Sequence, residues 1–165
     1  MTNNDVLRRL RYTFDFGDDK MIAIFALADH SVTREQVSNW LKKDDDASFQ
    51  ACSDTEMATF LNGLINDRRG KREGAQPEPE KRLNNNIIFR KLKIALNLKD
   101  SDILDLMDLS EMKLSRHELS AFFRKQGHKH YRECQDQVLR NFLKGVQLKY
   151  RATEAPVSQS IWENK

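Results

Sequence analysis

The sequence predicts an all-α protein made of two pseudo-repeated four-helix domains that come from an internal duplication. When the chain is shifted by 82 positions, residues 3–69 align without a gap on residues 85–151, with about fifteen identities. Apolar residues recur at helical spacing in both copies, and no segment shows the alternation typical of a strand. Because the period is much longer than that of a solenoid repeat, each copy is predicted to be a small helical domain.

The duplication divides the chain into four parts. We define repeat 1 as residues 1–70, the linker as residues 71–84, repeat 2 as residues 85–152 and the tail as residues 153–165. The linker combines glycine, two prolines and a dense run of charges, so it is predicted to be solvated. The tail has no helical pattern, although Ile161 and Trp162 offer apolar side chains to a neighbouring surface.

Two amphipathic helices open each repeat. The first is predicted to follow Asn3-Asn4 or Asn85-Asn86, and the second to run from Asp18 to about Ala28 or from Asp100 to about Ser110. Their inward positions are apolar at helical spacing. These positions are Val6, Leu7, Leu10, Phe14, Met21, Ile22, Ile24 and Phe25 in repeat 1, and Ile88, Phe89, Leu92, Leu96, Ile103, Leu104, Leu106 and Met107 in repeat 2.

The third and fourth helices carry the clearest signals. Capping boxes over residues 33–36 and 115–118 predict the start of each third helix, and Asp54 or Asp136 precedes each fourth helix. Gly63 and Gly145 lie inside the fourth helices, where glycine costs about 1 kcal/mol, so another helix is predicted to approach closely there. The inward positions are Val37, Trp40, Leu41, Met57, Phe60, Leu61 and Leu64, and Leu119, Phe122, Phe123, Leu139, Phe142, Leu143 and Val146.

Polar identities between the repeats are predicted to be structural. Helix capping is the expected role of the shared acids and amides, namely Asn4 with Asn86, Asp18 with Asp100, and Asp54 with Asp136. Arg8 and Arg90 are each predicted to pair with a carboxylate of their own repeat, the alternative being an anion site used twice. Cys52 and Cys134 occupy equivalent positions, which predicts free, buried thiols.

Three motifs stand out along the chain: the Asn-Asn-x-(Ile/Val) opening of each repeat, Phe-Leu-x-Gly near its end, and Gly127-His-Lys-His-Tyr-Arg-Glu-Cys134 in repeat 2. Together they resemble the motifs of the bacterial YehS family, a duplicated domain of unknown function. The resemblance covers about residues 2–151. It implies a small all-α bacterial protein, and it implies no activity, substrate or catalytic residue.

Composition and charge limit the function classes. No apolar run approaches the ~18 residues that span a bilayer, and the first residues lack a secretory signal, so a cytoplasmic location is expected. The net charge of +3 conceals an asymmetry, because repeat 1 carries nine Lys+Arg against twelve Asp+Glu and repeat 2 carries fourteen against eight. This contrast favours an anionic partner for repeat 2 or docking between the repeats.

No catalytic motif is present, so neither enzyme activity nor a cofactor is predicted. His128, His130 and Cys134 are zinc-ligand types, but their equivalents in repeat 1 are Asp46, Ser48 and Cys52. Only the cysteine recurs, which favours a packing role beside a polar loop. The run of consecutive carboxylates at residues 44–46 lacks the alternating spacing of a calcium loop, so no metal site is predicted.

The second and third helices of each repeat have the outline of a helix-turn-helix. Arginine, lysine and asparagine on their outer face are residue types that contact phosphates and base edges. The candidate contacts are Arg34, Asn39, Lys42 and Lys43 in repeat 1, and Arg116, Arg124, Lys125, Lys129 and Arg132 in repeat 2. A two-helix hairpin with a solvated face is the alternative interpretation.

The second helix of repeat 1 is apolar almost all round, which predicts that another surface covers it. Ala23 and Ala26 stand where repeat 2 has Asp105 and Asp108, two aspartates expected to face water. Repeat 2 or the Ile161–Trp162 segment is the expected cover, and a homodimer is the next. The sequence therefore predicts a protein that acts by binding, with a protein partner or itself favoured over nucleic acid and an enzyme third.

Overall fold

The computed structural model describes residues 1–151, and all its regular elements are helical. The α-helices are α1 Asn3–Phe14, α2 Asp18–Leu27, α3 Arg34–Leu41, α4 Asp54–Arg69, α5 Asn85–Ala95, α6 Asp100–Leu109, α7 Arg116–Phe122 and α8 Asp136–Val146. A π-helical segment, Gln147–Arg151, continues α8. Four helices in each repeat confirm the predicted fold class. In this part of the chain no helix is both long and apolar enough to cross a bilayer.

The predicted inward residues form the core. In repeat 1 the ring of Phe25 lies 5.4 Å from those of Trp40 and Phe60, and in repeat 2 Phe89 lies 4.5 Å from Phe142. Nearly all the predicted inward positions are buried, which confirms the helical pattern. The half-buried exceptions are Ile22, Leu41, Leu104 and Phe123.

A helix crossing at glycine occurs in both repeats. A Cβ atom added to Gly63 on α4 would lie 2.0 Å from the carbonyl oxygen of Ile24 on α2. The same atom added to Gly145 on α8 would lie 2.1 Å from the carbonyl oxygen of Leu106 on α6. The predicted close approach is confirmed, and it explains why glycine is retained in two helix interiors.

The two repeats pack on each other reciprocally. The first helix of each repeat lies against the last helix of the other. Helix α5 packs on α4, and α1 packs on α8 and on the π-helical segment. Lys91 donates a hydrogen bond to Asn62 Oδ1 at 2.6 Å on one side. Arg9 donates to Gln147 Oε1 at 3.1 Å on the other. The repeats therefore form one body with a pseudo-twofold arrangement.

The linker is exposed over most of its length, as its composition predicts, but several of its residues contact the repeats. Asn66 Nδ2 donates to Gln76 Oε1 at 2.8 Å, and the Leu83 N–H donates to Asp54 Oδ2 at 2.9 Å. Glu80 Oε1 lies 3.0 Å from Lys91 Nζ, at an angle that makes an ion pair rather than a hydrogen bond. These contacts hold the linker across the junction of α4 and α5.

Candidate functional site

A buried asparagine fixes the loop before the last helix of each repeat. In repeat 2 the Asn86 amide donates to the carbonyls of Phe122 at 3.0 Å and Arg132 at 2.8 Å, and its oxygen accepts from Cys134 N at 2.9 Å. Asn4 makes the equivalent bonds in repeat 1, to the carbonyls of Trp40 and Gln50 and to the N–H of Cys52. We call Asn4 or Asn86, with the three backbone groups that it joins, the asparagine bridge.

The asparagine bridge corrects the predicted capping role of these amides. Asn4 and Asn86 are almost fully buried, whereas Thr2 and Asn84 cap α1 and α5. A buried amide must have its hydrogen bonds satisfied, and here the partners are loop backbone groups. The bridging role could have been inferred from the sequence, because the same asparagine occurs at equivalent, inward-facing positions in both repeats.

The shared aspartates are not N-caps either. Ser53 and Gln135 precede α4 and α8 as the cap residues. Asp54 and Asp136 instead accept hydrogen bonds from Asn3 and Asn85, each at 2.8 Å. Gly17 and Lys99 precede α2 and α6, while Asp18 lies 3.4 Å from Arg34 and Asp100 lies 2.8 Å from Lys93. These aspartates join helices through their side chains.

Repeat 2 displays five exposed cations on α7 and on the loop that the asparagine bridge holds. Because α7 ends at Phe122, only Arg116 of the predicted contacts lies on the helix, and the other four lie on the following loop. We define the basic loop surface as Arg116, Arg124, Lys125, Lys129 and Arg132. All five side chains are exposed, and among residues 1–151 none forms a salt bridge.

Glu118 lies near the basic loop surface, and its carboxylate already accepts a hydrogen bond from the backbone of α7's N-cap residue. Hydrogen bonding from the Ser115 backbone N–H lowers the pKa of Glu118, and the field of Arg132 acts in the same direction. Glu118 therefore remains an anion whose carboxylate completes the capping box of α7. The loop cations stay available to an external anion.

The equivalent surface of repeat 1 is different. Arg34 is paired with Asp19 and Asp18 on α2, and these carboxylates raise its pKa. Lys43 is exposed, but residues 44–46 that follow it are three exposed aspartates. Lys42 and Asn39 are both half-buried. The predicted contacts of repeat 1 are therefore paired with carboxylates, followed by carboxylates, or only partly accessible to a ligand.

Arg8 and Arg90 have different partners. Arg8 lies 2.7 Å from Asp5 and donates at 2.6 Å to the carbonyl of Lys42, which confirms the predicted pairing within repeat 1. Burial alone would raise the pKa of Asp5, but hydrogen bonds from Thr2 and Arg8 outweigh burial and lower it. Arg90 donates to the carbonyl of Phe123 at 3.2 Å, and within residues 1–151 it has no carboxylate at salt-bridge distance, so the predicted pairing in repeat 2 is wrong.

The histidines and cysteines of repeat 2 do not converge. Cys134 is buried and desolvation raises its pKa to about 12, while His128 and His130 are exposed on the loop. Cys52 is equally buried, and desolvation raises its pKa to about 12. Two buried free thiols confirm that prediction. In residues 1–151 no group of three or more potential metal ligands is present.

Within residues 1–151 no element covers the outer face of α2. Ala23 and Ala26 are exposed, so the prediction that repeat 2 covers them is wrong. The physical reason is that α2 buries its opposite face on α3 and α4, while the two repeats meet through their first and last helices. Ile161 and Trp162, the other predicted cover, lie outside the described residues. Asp105 and Asp108 are exposed, as predicted.

Comparison with known proteins agrees with this duplicated architecture. A protein family of unknown function, DUF1456, matches the chain twice, over residues 3–70 and 85–152. The chain belongs to the DUF1456 family. It is also 44% identical over 147 residues to the uncharacterized protein YehS of Escherichia coli (strain K12), covering 88% of this chain and 94% of that relative. No solved structure matches the chain.

Proposed function

We propose that this protein acts by binding, and that the basic loop surface of repeat 2 binds the phosphate backbone of a nucleic acid. The observation that supports the proposal is the group of five exposed cations that lack carboxylate partners within residues 1–151. Clustered lysine and arginine side chains bind nucleic acid chiefly through phosphates and the release of counterions.

The geometry favours backbone contacts over base reading. A recognition helix in a helix-turn-helix presents several side chains to base edges, but α7 has only seven residues, and Arg116 is its one candidate cation. Four of the five cations lie on a loop whose ends are joined by the Asn86 bridge. A loop held in this way presents positive charge in a fixed place without a helix that enters a groove. Binding is therefore expected to depend on salt more than on sequence.

The test is an anisotropy titration across salt concentrations with labelled mixed-sequence duplex DNA, single-stranded DNA and RNA. Replacing Arg124, Lys125 and Lys129 by alanine removes three cations and is expected to reduce the salt slope by about two to three. The matched control replaces Lys81, Arg82 and Lys113, three exposed cations elsewhere, and changes the net charge equally. No association at low salt, or equal loss in both variants, would contradict the proposal.

A second candidate function is self-association through α2. Ala23 and Ala26 are exposed beside half-buried Ile22 and Leu27, and small side chains let a second helix approach closely. Aspartate occupies the equivalent positions in repeat 2, so replacing both alanines with aspartate is expected to preserve folding and to abolish the dimer. Sedimentation velocity tests this candidate, with Asp105→Ala plus Asp108→Ala as the matched control. A monomeric native protein at high concentration would refute it.

A further inference from the structure

The reciprocal packing of the repeats creates two equivalent clefts. One lies between α4 and α5 beside the linker, and the other lies between α1 and α8 with a volume of about 370 Å³. Positions related by the 82-residue shift line both clefts, so the residues of one cleft can be compared directly with their equivalents in the other. The two clefts differ in whether the chain itself provides a carboxylate that pairs with the basic side chain of the cleft.

In the α4–α5 cleft the chain provides its own anion. Lys91 on α5 is largely buried, donates to Asn62 and lies 3.0 Å from the carboxylate of Glu80. Glu80 belongs to the Pro-Glu-Pro-Glu segment of the linker, residues 77–80. An acidic stretch of chain without regular secondary structure therefore neutralises the cation of this cleft.

In the α1–α8 cleft the equivalent cation has no such partner. Arg9 stands at the position of Lys91, and its hydrogen bond goes to the neutral Gln147 at 3.1 Å. Arg140 stands at the position of Ala58 and adds a second guanidinium, which bonds to the neutral Gln137 at 3.3 Å. Within residues 1–151 neither arginine has a carboxylate at salt-bridge distance.

The other charged groups of the cleft are already paired. The Met1 ammonium lines the cleft and lies 2.8 Å from Asp136 Oδ2, and the other oxygen of that carboxylate accepts from Asn85 at 2.8 Å. Hydrogen bonding from the Met1 ammonium lowers the pKa of Asp136, and Arg140 acts on that carboxyl group only through its field, which helps to lower the pKa.

Asp5 lines the cleft, but its two oxygens accept from Arg8 at 2.7 Å and from the Thr2 N–H at 2.9 Å. Tyr12 is half-exposed at the rim, and the Arg151 guanidinium lies 3.9 Å from the centroid of its ring. The two guanidinium groups of Arg9 and Arg140 suit a carboxylate on a peptide, because the planar fork of each matches the two carboxylate oxygens.

We propose that the α1–α8 cleft binds an extended acidic peptide of a partner protein, with a glutamate or aspartate carboxylate between Arg9 and Arg140. The equivalent cleft shows the same kind of occupant, a glutamate on a stretch of linker. This site shares no residue with the basic loop surface, so each proposal can be refuted without affecting the other.

The test is an NMR titration of the ¹⁵N-labelled full chain with the peptide Ala-Gln-Pro-Glu-Pro-Glu, the sequence of residues 75–80. A tethered segment acts at millimolar effective concentration, so the titration extends to about 10 mM. Saturable shifts are expected in residues lining the cleft. Arg140→Ala, which installs the residue found at position 58, is expected to weaken binding about tenfold.

Three controls make the result decisive. A peptide with glutamine in place of both glutamates is expected not to bind, and Arg11→Gln, on an exposed position of α1 outside the cleft, is expected to bind normally. The alanine variant of Arg124, Lys125 and Lys129 is expected to bind the peptide normally, which separates this site from the basic loop surface. Absence of saturable shifts, equal binding of the glutamine peptide, or unchanged affinity in folded Arg140→Ala would overturn the proposal.

Discussion

Replacing Gly63 by alanine tests the packing that the duplication repeats. The added Cβ would lie 2.0 Å from the Ile24 carbonyl oxygen, a backbone atom of α2 that no side-chain rotation can move. Relief requires α2 and α4 to separate by about 1 Å, and overpacking of this kind costs about 1–3 kcal/mol. Alanine has a higher helix propensity than glycine, which offsets about 1 kcal/mol of this cost. With an overpacking cost at the upper end of the range, about 3 kcal/mol, the expected net loss of stability is about 2 kcal/mol.

Thermal unfolding followed by circular dichroism measures this effect. For a chain of this length, a loss of about 2 kcal/mol lowers the melting temperature by about 4–8 °C. Gly145→Ala is expected to behave alike, because its Cβ would lie 2.1 Å from the Leu106 carbonyl oxygen. Gly17→Ala is the control for steric clash, since no atom lies within 4 Å of its Cβ; a smaller loss is expected there, because alanine is a weaker N-cap than glycine. An unchanged or raised melting temperature in Gly63→Ala would refute the close crossing.

The remaining predictions concern the asparagine bridges and the thiols. Asn86→Ala and Asn4→Ala each remove three buried hydrogen bonds and are expected to cost about 3 kcal/mol in urea unfolding. Only Asn86→Ala is expected to weaken nucleic-acid binding, and equal binding in both folded variants would contradict that. Cys52 and Cys134 are expected to label slowly with a thiol reagent at pH 8 until urea is added, and rapid native labelling would contradict their burial. Because folding raises both thiol pKa values from 9.0 to about 12, their contribution to stability is present below pH 9 and is lost as pH rises toward 12, which urea unfolding at several pH values measures.

The helices, their inward faces and the glycine crossings could be predicted because they follow from local periodicity and capping chemistry. The 82-residue duplication strengthened each of these predictions, since a packing residue recurs at both equivalent positions. The end of α7 at Phe122 was harder to predict. Its consequence is that Arg124 and Lys125 belong to a loop and not to a recognition helix.

The errors share a physical origin in long-range contacts. An asparagine next to a helix start looks like a cap in sequence, and only the folded chain brings Asn86 against the carbonyls of Phe122 and Arg132. The alanine face of α2 looked covered because hydrophobicity does not reveal which helices meet between repeats. The partners of the linker were unpredictable for the same reason, since Glu80 meets Lys91 only after α5 packs on α4.

A loop exchange tests most directly whether the loop of repeat 2 binds a polyanion, as proposed. Residues 124–132 are replaced by residues 42–50 of repeat 1, a segment of equal length that carries three aspartates. The Asn86 bridge bonds only backbone groups, so the exchanged chain is expected to keep its fold. Anisotropy at low salt is then expected to show nucleic-acid binding by the native chain and none by the exchanged chain. Undiminished binding by a folded exchanged chain would contradict the account.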